Sequence, residues 1–104
     1  MKDLRDKTNE VFDSFYRRLN AVYEQRAAEA PTEAWERIDF WGRCGMPADL
    51  RGRMHQLRKW RNAGEHDRDL PASARWERWR KEGPRSRDEL KAAVFEIERL
   101  IRTL

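Results

Sequence analysis

One arginine of this sequence occupies a position where a helix should carry an apolar residue. At about 100° per residue, Leu50, Met54 and Leu57 fall within one narrow stripe of a helix over 47–64, and Arg61 falls in the middle of that stripe. A buried guanidinium is costly unless it is paired or lines a cleft. Its planar fork matches pairs of oxygens such as those of a phosphate. The position therefore indicates either an anion-binding cleft or a structural contact.

Two structural explanations of Arg61 stand beside the functional one. The side chain can extend over the end of the bundle and keep its charged head in water. Alternatively, it can form an ion pair with an acidic residue of another helix, such as Glu33 or Asp39. Charged residues are rarely buried unless they are paired, so the partner of the guanidinium decides between these explanations.

A histidine follows Arg61 five residues later, in the segment RNAGEH at 61–66. On an unbroken helix two such side chains diverge by about 140°. We therefore expect Gly64, which tolerates backbone angles that other residues avoid, to end or bend the helix and let His66 turn toward Arg61. Asn62 precedes His66 by four residues, and a hydrogen bond between them would fix the imidazole if the helix persists.

The ten residues 57–66, LRKWRNAGEH, resemble the signature of the HEPN superfamily (higher eukaryotes and prokaryotes nucleotide-binding). That signature is an arginine, commonly followed by a polar residue such as asparagine, with a histidine after four to six intervening residues. In the family it closes a helix of an all-α domain of about this length, and one further core helix follows. The resemblance implies a single HEPN-like helical domain over residues 1–104.

The resemblance also implies a function, that of a metal-independent endoribonuclease of toxin or defence type. Arg61 and His66 would be the catalytic pair, and Asn62 the polar residue that orients them. The active site would form at the cleft of a homodimer, with RNA as substrate and with no metal or cofactor. RNA can be cut by its own 2′-hydroxyl, with the histidine moving a proton and the arginine stabilising charge on the phosphate. A nucleotidyltransferase-type antitoxin is a further implied partner.

The charge around the motif is compatible with RNA. Residues 51–61 hold five basic side chains and no acidic one, and we assign RNA binding to Arg53, Arg58 and Lys59. The whole chain carries 23 Lys and Arg against 19 Asp and Glu, a net charge of +4. A GC-rich genome also favours arginine, so the charge permits a polyanionic partner without requiring one. The alternative function is a non-catalytic helical module that binds nucleic acid or another protein.

The hydrophobic pattern predicts an all-α fold, an up-and-down bundle of four main helices plus one short helix. Apolar residues recur at steps of three and four, and no alternating stretch indicates a strand. Thr32 is the expected N-cap of the second helix, and Ser86 with Glu89 forms a capping box before the last one. The predicted helices cover residues 3–29, 33–43, 47–64, 72–82 and 87–103.

Composition excludes several classes of protein. No apolar run approaches the roughly 20 residues of a bilayer span, which argues against a membrane protein, and the charged N-terminus lacks the apolar core of a signal peptide. The one cysteine, Cys44, excludes an intrachain disulfide and a metal site built on paired cysteines. We therefore expect a cytoplasmic protein. Cys44 has no activating neighbour in sequence and is expected to be inert.

Two tryptophans and a second histidine complete the candidates. Trp76 and Trp79 lie in the basic stretch 75–81. Such a stretch can stack unpaired bases and bind their phosphates, but two tryptophans in a small domain more often supply core or dimer contacts, which is the interpretation we favour. His55 falls opposite the Leu50 stripe with no carboxylate neighbour on its own helix. We expect it to be a surface residue without a role.

Overall fold

In the computed structural model of this chain, which describes residues 3–65 and 71–104, every regular element is a helix. The predicted all-α bundle is therefore confirmed. No helix of those residues is long and apolar enough to span a bilayer. The elements, in chain order, are α1 (Leu4–Val22), a 3₁₀ helix (Glu24–Glu29), α2 (Ala34–Arg43), α3 (Ala48–Glu65), α4 (Ala72–Glu82) and α5 (Arg87–Ile101).

The first predicted helix is in fact two elements. α1 ends at Val22, and the 3₁₀ helix that follows buries none of its residues. Helices in proteins depend mainly on burial of an apolar face, so a stretch without that burial has little to hold the α form. The predicted cap at Thr32 is also wrong, because Glu33 is the N-cap of α2 and makes no side-chain capping bond.

Ser86 is the N-cap of the last helix, as predicted. The hydroxyl of Ser86 accepts a hydrogen bond from the backbone N–H of Glu89 at 3.2 Å, and α5 begins at the next residue, Arg87. Such a cap satisfies one of the backbone donors that a helix start leaves unpaired.

The third helix is the centre of the bundle, because α3 packs against α1, α2, α4 and α5. The predicted apolar stripe is confirmed, since Leu50, Met54 and Leu57 are fully buried. They join one hydrophobic core with residues from α1, α2, the turn after α2, and α5. Its other buried members are Phe12, Phe15, Leu19, Ile38, Phe40, Trp41, Met46, Trp60, Leu90, Ala93, Ile97, Leu100 and Ile101.

The sequence predicted that Gly64 would end or bend α3. Gly64 does not end the helix, which continues to Glu65. The glycine instead makes room for Trp79 of α4, since a Cβ atom at position 64 would lie 3.2 Å from the ring carbon Cζ3. Trp79 is only 6% exposed, whereas Trp76 is 52% exposed. The core interpretation of the two tryptophans is therefore confirmed for Trp79 alone.

Gly83 is a second close contact of the Trp79 ring, and replacing it tests the packing of α4. A Cβ atom there would lie 2.7 Å from the carbonyl oxygen of Trp79 and 2.8 Å from its ring carbon Cε3. We expect Gly83→Ala to lower the free energy of unfolding by about 1–3 kcal/mol, because backbone and ring must both shift. Chemical denaturation measures the change.

The matched control is Gly52→Ala on α3, where a Cβ atom meets nothing within 4 Å. Alanine should raise the free energy of unfolding there by about 0.5–1 kcal/mol, since glycine is a poor helix former. Equal effects of the two substitutions would contradict the packing described for Trp79.

Candidate functional site

The guanidinium of Arg61 lies over the ring of Phe12, a buried residue of α1. Its carbon Cζ is 4.4 Å from the ring centroid, and its Nη2 donates a hydrogen bond to Oδ1 of Asn62 at 3.1 Å. A cation over an aromatic face gains about 1–2 kcal/mol when it is partly desolvated. The side chain is half-buried, so the apolar floor and the asparagine together hold the charge in one place.

Arg61 has no counter-charge among the side chains that the structure describes at residues 3–64 and 71–104. No carboxylate of these residues forms an ion pair with it, and its Nε is buried without a hydrogen-bond partner. Asp39, one of the two acids suggested as partners, contacts His55 instead. The ion-pair explanation is therefore wrong for Asp39, and the cation stays half-buried against Phe12.

His66 lies outside the described residues, so the pairing of Arg61 with His66 stays a prediction. The same holds for the hydrogen bond between Asn62 and His66. α3 remains helical through Glu65, and Oδ1 of Asn62 already accepts from Arg61. Of the three predicted catalytic residues, the structure therefore brings together Arg61 and Asn62.

The predicted RNA-binding residues divide into two groups. Arg58 and Lys59 line a groove of about 470 Å³ between α3 and α4, and Asn62 is part of the same wall. Arg53 lies on a different depression, where its Nη1 donates to Oε1 of Gln56 at 2.9 Å. Two of the three residues thus adjoin Asn62, and Arg53 does not.

His55 is part of a polar cluster that the sequence did not reveal. Its Nε2 is 2.7 Å from Oδ1 of Asp39 on α2, and its Nδ1 accepts a hydrogen bond from Nε of Arg58 at 3.3 Å. The imidazole is only 21% exposed. The expectation of an isolated surface histidine is wrong. The carboxylate belongs to α2, so the residues near His55 along α3 give no indication of the contact.

Both ring nitrogens of His55 are engaged. An arginine N–H can only donate, so Nδ1 accepts from Arg58, and Nε2 faces the carboxylate of Asp39. The hydrogen bond from His55 is the main cause that lowers the pKa of Asp39, and the charges of Arg51 and Arg43 act in the same direction.

Arg58 connects this cluster with Arg61. Burial is the main cause that lowers the pKa of Arg58, and the nearby charge of Arg61 adds to it, whereas Asp39 opposes the shift. An arginine nevertheless remains charged at neutral pH. We call His55, Arg58, Arg61 and Asn62 the α3 polar face. It holds two cations one helical turn apart, and such an arrangement can bind an anion.

Other chemistry has little support in the described residues. No group of three or more His, Cys, Asp or Glu side chains among them could hold a metal ion. Cys44 is a free, half-buried thiol. The α3 polar face is therefore the candidate site.

A comparison with models of protein families, with curated proteins and with solved structures finds no match for this chain. The fold and the site by themselves define an all-α bundle whose central helix carries a half-buried, cationic polar face. The HEPN resemblance rests on residues 57–66 alone.

The carboxylate of Asp39 provides a pH-dependent test of the cluster. We expect Asp39→Asn to lower the free energy of unfolding at pH 7 by at most about 1 kcal/mol, because a partly exposed pair is screened by solvent. Folding lowers the pKa of Asp39. Its contribution is therefore fully present above the unfolded value near about 4 and is lost as pH falls through the lower folded pKa.

Urea denaturation of both proteins at pH 7, 5 and 2.5 measures this difference. Asp13→Asn, at an exposed acid of α1, is the control and should change stability little at any pH. A gap between wild type and Asp39→Asn that persists undiminished at pH 2.5 would contradict the contact with His55.

Proposed function

We propose that this protein is a metal-independent endoribonuclease of HEPN type, in which Arg61, Asn62 and His66 act on RNA at a cleft between two copies. The observation that carries the proposal is Arg61, a half-buried guanidinium that lies on Phe12 and has no carboxylate partner among residues 3–64 and 71–104. A preorganised cation of this kind stabilises charge that develops on a phosphate oxygen without reorganising during the reaction. The motif supplies His66 as the group that moves a proton.

The reaction uses a nucleophile that the substrate already contains. The 2′-hydroxyl loses its proton and attacks the adjacent phosphorus, and the bond from phosphorus to the 5′-oxygen breaks as that oxygen gains a proton. The products are a 2′,3′-cyclic phosphate and a 5′-hydroxyl. Positioned proton transfer by histidine contributes about 10²–10⁴-fold to such a rate, and Arg61 stabilises the additional charge on the phosphate oxygens.

Two copies of the chain fit this chemistry better than one. A single imidazole cannot remove one proton and deliver another in the same step, and His55 already has both ring nitrogens engaged. A second copy would supply a second His66 and a second Arg61. The homodimer, like a toxin or defence role with a nucleotidyltransferase-type antitoxin, comes from the resemblance and is part of the proposal.

Arg58 and Lys59 would bind the phosphates that flank the scissile bond. Both adjoin Asn62 in the groove between α3 and α4, and Asn62 in turn accepts a hydrogen bond from Arg61. Arg53, engaged with Gln56 on another depression, would contribute only general attraction to the polyanion. Contacts of this kind make affinity fall with salt concentration.

The second candidate is a non-catalytic module that binds nucleic acid through the same α3 polar face. One observation favours it, namely that the only imidazole in the described residues, His55, is already bonded on both sides. Under this alternative the chain binds RNA and leaves it intact, and His66 can be replaced without consequence.

Cleavage of an unstructured, end-labelled RNA in EDTA tests the proposal. We expect Arg61→Met and His66→Gln to slow cleavage at least about 100-fold. Arg61→Met should keep the free energy of unfolding within about 1 kcal/mol of wild type, because an apolar side chain of similar length removes a desolvated charge. Arg102→Ala, at an exposed residue after α5, is the matched control and should cleave normally.

The products should carry 2′,3′-cyclic phosphate ends, and sedimentation equilibrium should give the mass of two chains. Cleavage that is unaffected by both substitutions would refute the catalytic assignment. Binding of RNA with no cleavage by any preparation would favour the non-catalytic module, and full activity of a monomer would refute the dimer cleft.

A further inference from the structure

Helix α4 buries one tryptophan and presents the other. The ring of Trp79 fills the space left by Gly64 and Gly83, which fixes α4 against the end of α3. Trp76, three residues earlier on the helix, is 52% exposed. Anchoring by Trp79 therefore holds the face of α4 that carries Trp76 in a defined orientation toward solvent.

Trp76 lines a groove of about 500 Å³ between the start of α1 and α4, and three arginines line it as well. Arg5 comes from α1, Arg80 from α4, and Arg85 from the turn before α5. The groove thus combines a large aromatic surface with three cations from different parts of the fold.

The acidic residues near this groove are already engaged. Asp3 accepts a hydrogen bond from the backbone N–H of Asp6 at 2.9 Å, and it lies 3.7 Å from Arg5. Arg80 forms a long contact of 3.4 Å with Glu77, both side chains being well exposed. No carboxylate of the described residues pairs with Arg85. The groove therefore has a net positive charge and suits an anionic ligand.

The groove also adjoins the helix that carries the proposed catalytic arginine. A Cβ atom at Gly64 would lie 3.2 Å from the ring of Trp79 and 3.5 Å from Cγ of Arg5. Gly64 is three residues beyond Arg61 on α3, about 4.5 Å along the helix axis.

We propose that this groove is a subsite for one unpaired nucleotide of single-stranded RNA, with its base stacked on Trp76 and its neighbouring phosphates bound by Arg5, Arg80 and Arg85. Base faces are accessible only in unpaired strands, and stacking on aromatic rings is how proteins commonly bind them. The ligand class rests on the proposed function, but the subsite is measured by binding and not by cleavage.

A contact between two copies is the competing use of Trp76, and the charges argue against it. Two copies related by a two-fold axis through this groove would bring the same arginines into opposition. Like charges held close together are unfavourable. A polyanion, in contrast, is attracted by every one of them.

The test uses wild-type protein and a 2′-O-methyl oligoadenylate of 12 nucleotides, which keeps its bases and phosphates but lacks the attacking hydroxyl. Fluorescence anisotropy measures the dissociation constant. We expect Trp76→Ala to raise it about tenfold or more and Trp76→Phe to stay within about threefold of wild type. Trp35→Ala on α2, at a tryptophan that is 50% exposed, is the matched control and should have no effect.

A 2′-O-methyl duplex serves as the second probe. Trp76→Ala should bind it as wild type does, because paired bases offer no face to stack. Arg85→Ala should weaken both probes and reduce the salt dependence of binding by about one phosphate contact. Loss of duplex binding in Trp76→Ala would show that the substitution disturbs the whole binding surface, and it would refute the stacking assignment.

The remaining outcomes separate this inference from the proposed function. If Trp76→Ala binds the oligoadenylate normally, or if it only converts a dimer into a monomer, the subsite is refuted even where cleavage depends on Arg61. If Trp76→Ala no longer binds the oligoadenylate while RNA cleavage is unchanged by substitutions at Arg61 and His66, the subsite is supported and the nuclease assignment is refuted.

Discussion

One interaction underlies the candidate site, namely the packing of the Arg61 guanidinium on the ring of Phe12. Taking a guanidinium out of water costs several kcal/mol before compensation. The contacts with the aromatic ring and with Asn62 offset part of this desolvation penalty, but Nε remains without a hydrogen-bond partner. An apolar side chain at this position would serve the bundle as well or better. The anionic ligand that we propose would give this guanidinium a partner that Phe12 and Asn62 do not supply.

The other polar groups of α3 are arranged around this cation. Arg58 is placed between His55 and Arg61, and the nearby positive charge contributes to its lowered pKa. Two cations held one turn apart repel each other, and the repulsion is relieved when a phosphate lies between them. Asp39 balances the cluster on the α2 side through His55. The α3 polar face is thus neutralised at one end and positively charged at the other.

Much of the fold follows from periodicity in the sequence. The spacing of apolar residues predicts α2, α3, α4 and α5 to within two residues at each end, because each helix buries a stripe that repeats every three or four positions. The same rule predicts a continuous helix through residue 29 and is wrong there. After Tyr23, which still packs on Trp41, the 3₁₀ helix Glu24–Glu29 buries none of its residues.

The candidate site was only partly predictable, for a related reason. The position of Arg61 follows from the geometry of its own helix, so a helical projection is sufficient to find it. The pair of His55 with Asp39 joins two helices, and the different burial of Trp76 and Trp79 depends on glycines of α3 and of the turn after α4. Such facts arise from tertiary packing, and a single sequence carries no pattern for them.

The most direct test of the central claim is the rate of RNA cleavage in EDTA by Arg61→Lys. Lysine keeps the charge but lacks the planar fork that binds two phosphate oxygens and stacks on an aromatic ring. We expect Arg61→Lys to remain folded and to cleave at least about 100-fold more slowly than wild type. Cleavage at the wild-type rate would show that any positive charge suffices there, and it would contradict the role assigned to the guanidinium.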